Sequence, residues 1–141
     1  MILSQDIKVF DRSGKLKVLG QVRGYRETST EWATELLPDI LMDEHRPPYL
    51  VLVTRDQTYF WRDPVNHPVP AYSIATNELL KEYLQPLQRS AADVGNTGLG
   101  MLLFDWIADA RRNPSRIPER LAAIGFSDAI HNGRLEFQTA A

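Results

Sequence analysis

Few residues in this chain combine a reactive type with a useful spacing. Glu31 and Glu35 are one helical turn apart and share a face, which on its own reads as a solvated helix side. His45, His67 and His131 are far apart in sequence, fall in expected loops and lack metal-ligand spacing. No serine stands in a GxSxG setting. GNTGLG at 95–100 is glycine-rich but has no lysine and follows no clear strand, so it reads as a hinge or linker and not as a phosphate loop. Tyr59, Phe60 and Trp61 invite base stacking. Alternation sends Phe60 to one face and the other two to the opposite face, which favours packing.

The composition narrows the chemistry further. The chain has 141 residues, enough for one domain with its own core. With 43% hydrophobic and 24% charged residues, it has the balance of a globular protein. The absence of cysteine excludes disulfides, thiolate metal sites and thiol nucleophiles, and makes a reducing cytoplasm the expected compartment. The start, MILSQDIKVF, has no signal-peptide pattern, and no apolar run approaches the roughly 18 residues of a membrane span. The net charge of −2 argues against a general nucleic-acid coat. Charge is uneven, however. Lys8, Arg12, Lys15, Lys17, Arg23 and Arg26 outweigh Asp6, Asp11 and Glu27 in the first thirty residues, a local basic ridge able to face phosphates. Residues 31–63 are acidic, with seven acids against three arginines.

The elements that must position these residues follow from periodicity. Residues 5–10 and 16–23 alternate with period two and predict a hairpin, with Gly14 at a positive-φ turn position. Thr28 or Ser29 starts a helix through EWATELLPDILMDEH, with Trp32, Leu36, Leu37, Ile40 and Leu41 at helical spacing. Pro38 should kink or split that helix, and His45 to Pro48 should end it. YLVLVT, 49–54, reads as a strand buried on both faces, and QTYFWR, 57–62, as an aromatic strand. A Pro-rich loop, a helix from Thr76 to about Leu87, a flexible loop over 90–100, and helices at 99–111 and 118–124 follow, with 133–138 as a last short strand. The expected fold is α/β (α+β), a mixed sheet flanked by helices. It forms one domain, with a sheet core over 1–88 and a helical C-terminal half over 99–141.

The run DIKVFDRSGKLKVLGQVRGYRETSTEWA from Asp6 to Ala33, followed by YLVLVTRDQTYFWRD at 49–63, resembles the core of the PD-(D/E)XK nuclease superfamily. The closer likeness is to restriction-endonuclease-like bacterial proteins of unknown role. The resemblance covers the first half of the chain. It implies that Asp6 matches the family's metal-binding aspartate, while Gln21 and Arg23 stand where the active family has glutamate and lysine. In that family the two carboxylates hold a divalent metal and the lysine orients or deprotonates the attacking water. A neutral amide is a poor ligand for a hard cation, and a permanently protonated arginine cannot act as a base and repels the metal. Only five residues precede Asp6, which leaves little room for the helix that usually comes before this strand in such nucleases.

The resemblance therefore implies a retained fold with a degenerate site, acting in binding and needing no cofactor. Partners would be nucleic acid, another protein or a second copy, with no membrane. The alternative is an active Mg2+-dependent endonuclease that uses Asp6 with a carboxylate migrated to Glu31 or Glu35. A third reading is a structural homo-oligomer. Leu102, Leu103, Trp106 and Ile107 on one helix, with Tyr59 and Trp61 on a strand near the sheet edge, would then supply a homodimer surface. Restriction-enzyme relatives often pair, which adds to that expectation by resemblance.

Overall fold

The computed structural model describes residues 4–41 and 46–140. It is an α+β protein built on one six-stranded mixed sheet in the order β5-β4-β3-β2-β1-β6. The strands are β1 (Ser4–Phe10), β2 (Leu16–Val22), β3 (Tyr49–Val53), β4 (Gln57–Arg62), β5 (Tyr72–Ala75) and β6 (Arg134–Ala140). β2 and β3 run parallel, and every other neighbouring pair is antiparallel. A parallel pair needs a crossover, and α1 (Thr30–Ile40) supplies it.

The β1–β2 turn forms because Asp11 Oδ1 accepts from the Ser13 and Lys15 amides at 2.9 and 3.0 Å and Gly14 takes φ 84°. Ser29 caps α1 by accepting from the Trp32 amide at 3.1 Å. Of the two outcomes expected at Pro38, a kink or a split, the split does not occur: α1 continues to Ile40. Pro38 is exposed, so water can satisfy the carbonyl one turn back that loses its donor. The expected end of this helix at His45 lies outside the described residues.

Period two sorts the side chains onto two faces. On one, Leu19, Leu50, Leu52, Tyr59 and Trp61 pack under Ala33, Leu37 and Ile40 of α1. On the other, Ile7, Val9, Val18, Val22, Val51, Val53 and Phe60 pack under the later helices. The chief of these is α4 (Asn96–Arg112), accompanied by α2 (Thr76–Leu79), α3 (Lys81–Leu84), α5 (Glu119–Ala123) and α6 (Phe126–Ile130). The C-terminal half thus forms one layer of the core and, through β6, one edge of the sheet.

Several local expectations differ from this. The helix from Thr76 is broken into α2, α3 and a 3-10 turn at Gln85–Leu87. The loop at 90–100 is largely ordered, as a 3-10 turn at Ala91–Asp93 followed by the start of α4. GNTGLG is therefore the first turn of a 17-residue helix and not a linker. A Cβ at Gly98 would stand 2.5 Å from Val94 Cγ1, so a larger residue there would force the Val94 side chain to shift. β5 and α6 had no counterpart in the sequence reading.

Three tyrosines report on the packing. Burial pushes the Tyr83 phenol well up, helped by its hydrogen bond to the Asp109 carboxylate. Burial also raises Tyr72 and Tyr59. A raised phenol is stabilising while protonated, so that contribution is intact below the ordinary tyrosine value of about 10 and is lost as pH rises above it. We expect Tyr83 to ionise last in a titration of the folded protein at 295 nm. Tyr83→Phe should remove the latest phase and leave the others in place.

Candidate functional site

The hairpin register sets Asp6 directly opposite Gln21, and Gln21 pairs in turn with Leu52 of β3. Arg23 follows on the same face as Gln21, its amide donating to Val53 O at 2.9 Å. Arg23 Nη2 approaches Gln21 Oε1 at 3.5 Å, a long contact at the limit of a hydrogen bond. Its Nε is buried and makes no hydrogen bond among the described residues. Gln21 is only 7% exposed, whereas Asp6 and Arg23 are half-buried. The structure thus brings together the three strand residues named from the sequence.

These three lie on the α1 side of the sheet. α1 packs on β2, β3 and β4, and among the described residues no α1 side chain joins a buried cluster with β1 or β6. Lys8 and Phe10 of β1 and Arg134 and Glu136 of β6 line the same face of those two strands by alternation and cross-strand register. Arg134 pairs with Glu136 and lies 4.7 Å over the Phe10 ring. This half-face is therefore a polar, net basic surface with one aromatic ring.

Glu31 and Glu35 are both exposed on α1. Burial pushes the Tyr59 phenol up, with Asp56 and Glu31 adding to the push and a Thr28 hydrogen bond opposing it. Tyr59 belongs to β4, three strands from β1, or about 14 Å at ordinary strand spacing. Among the described residues no group of three or more His, Asp or Glu side chains could hold a metal ion. His67 and His131 are exposed, and His45 lies outside the described residues.

The apolar residues expected at a dimer surface are internal. Tyr59 and Trp61 are 1% and 0% exposed beneath α1, and β4 is not an edge strand because β5 covers it. Leu102, Leu103, Trp106 and Ile107 are all buried against the opposite face. Aromatic alternation was read correctly, but both faces of the strand are covered, which one strand's pattern does not reveal.

The sequence reading missed one polar cluster. Asp56, in the β3–β4 turn, accepts from the Thr28 amide at 2.8 Å, the Thr28 hydroxyl at 2.9 Å and the Thr54 hydroxyl at 2.8 Å. Thr28 Oγ1 also lies 2.8 Å from the Tyr59 hydroxyl. Beside it, Arg55 donates to Gly24 O and Ala92 O at 3.0 and 2.8 Å. These bonds pin the loop that leads from β2 into α1. Thr28 two residues before the helix and Asp56 in a tight turn were the visible signals, but nothing local showed that they meet.

No family model, curated protein or solved structure matches this chain. None of the structure's helices is long and apolar enough to cross a membrane among the described residues.

Proposed function

We propose that this is a nuclease-like domain whose catalytic centre has become a binding centre, taking a nucleic-acid strand without cutting it. The observation carrying the reading is the placement of Asp6, Gln21 and Arg23 together beside a polar half-face. The order hairpin, crossover helix, parallel buried strand and aromatic strand supports the same resemblance. One carboxylate with an amide and a guanidinium has too little negative charge for a hard divalent cation. The same guanidinium is well suited to a phosphodiester, with Lys8 adding charge beside it. The proposed compartment is the cytoplasm, in keeping with the absence of cysteine.

Two assays test this. Plasmid DNA incubated with Mg2+ or Mn2+ should remain uncut relative to a metal-free control. Cleavage that disappears in Asp6→Ala would overturn the reading and favour the metal-dependent alternative. Fluorescence anisotropy with a labelled single-stranded oligonucleotide should show saturable, salt-sensitive binding. Arg23→Ala should weaken it roughly tenfold, as expected for loss of one charge-assisted contact. Failure to bind at low salt would remove nucleic acid as the ligand.

A further inference from the structure

A second basic site lies at the other end of the hairpin, about 20 Å along β1 from Asp6 at ordinary strand rise. Here Arg12 from the β1–β2 turn meets Arg111 and Arg112 from the last turn of α4. Together with Asn132 and Gly133 they line a recess of about 290 Å3. An adjoining recess of about 400 Å3 shares Arg12 and Asn132 and adds His131. None of the three arginines forms an ion pair among the described residues.

Two arginines at a helix C-terminus have an ordinary explanation, since they face the negative end of the helix dipole. That accounts for Arg111 and Arg112 but not for the arrival of Arg12 from a separate turn. The geometry of Arg111 adds a second point. Its Nη1 donates to Gly133 O at 2.6 Å, which fixes the plane of the guanidinium. Its Nε is buried and has no hydrogen-bond partner among the described residues. A buried charged donor left unmet is costly, and a ligand oxygen would remove that cost. The one acidic side chain among the described residues lining either recess is Asp11. Its Oδ1 is already committed to Ser13 and Lys15 amides and to the Ser13 hydroxyl at 2.6 Å.

We propose that this three-arginine recess binds a phosphate dianion, either free or as the terminal monoester of a small molecule. Three guanidiniums converging from two segments match a tetrahedral oxyanion, whose several oxygens can each accept from a different fork. The recess admits the phosphate group and leaves the adjoining space beside His131 and Ser13 for an attached moiety.

The test is a titration of the full chain at low ionic strength with inorganic phosphate and, separately, with adenosine 5′-monophosphate, followed by 1H–15N NMR. Saturable shifts at Gly133, Asn132 and the Arg111 Nε–H are expected with phosphate. Tighter binding of the monophosphate would assign the site to a monoester, and equal binding would assign it to the free anion. Arg12→Gln with Arg112→Gln, both exposed residues, should weaken binding at least tenfold without disturbing the fold. Arg111→Lys should weaken it as well, because an ammonium lacks the planar fork. The absence of saturable shifts, or unchanged affinity in the Arg12 and Arg112 variant, would overturn the proposal.

Discussion

Trp61→Ala is expected to lower the unfolding free energy by about 3–5 kcal/mol, and Trp61→Glu to leave no stable folded population. Trp61 is fully buried under α1, its Nε1 donates to Pro68 O at 2.8 Å, and its ring lies 6.3 Å from that of Tyr59. Alanine leaves a large cavity between sheet and helix and strips the Pro68 carbonyl of its donor. A domain of this size has only about 5–15 kcal/mol of stability to lose. Urea unfolding followed by far-ultraviolet circular dichroism measures the change. A Trp61→Glu protein that stayed folded while its mass in light scattering fell would place Trp61 at an interface and contradict the burial described above.

Removing the Asp56 carboxylate is the second large effect. Asp56→Ala deletes the acceptor for three hydrogen bonds at once and leaves the Thr28 amide unmet beside the sheet. Hydrogen bonds to a charged acceptor contribute about 1.5–3 kcal/mol each, and they are not additive in a shared cluster. A loss of about 2–4 kcal/mol follows. Asp56→Asn should fare little better, because one of its two oxygens becomes a donor. Hydrogen exchange localises the effect: the Thr28 amide should lose protection by more than the core strands do. Uniform loss across the chain would mean that Asp56 serves general stability and not this loop.

The parts of the fold legible in the sequence are those written in local period. The hairpin, the crossover helix and the buried β3 each carry an alternation, a helical spacing or an apolar run, although Leu19 and Gly20 blur the second strand. β5 is a four-residue edge strand behind a proline-rich loop, too short to show a period. The start of α4 was hidden by glycines, each costing about 1 kcal/mol in a helix. Burial of Leu99, Leu102 and Leu103 outweighs that cost. The candidate site was legible to the same degree. Hairpin register alone brings Asp6 to Gln21, but which strands a crossover helix covers depends on sheet order. The sequence therefore left Glu31 and Glu35 open as partners of Asp6, and it did not show that α1 packs over β2, β3 and β4. The three-arginine recess is assembled from segments a hundred residues apart, and no local pattern announces it.

The pairing of β1 with β6 sets an order of events during synthesis. Asp6 faces Gln138 across that pair, so β1 waits for almost the entire chain to be made before its second neighbour exists. Until then the nascent sheet ends at β1, with a row of unpaired amides and carbonyls open to other chains. Such distant pairing slows folding, because a long loop must close before any contact rewards it. A ribosome that stalls before residue 134 would release a protein whose hairpin is formed and whose sheet edge is exposed. The polar and charged residues on the α1 side of β1, Asp6 and Lys8, then act in a further capacity, as the charges that keep this edge from pairing with a stranger.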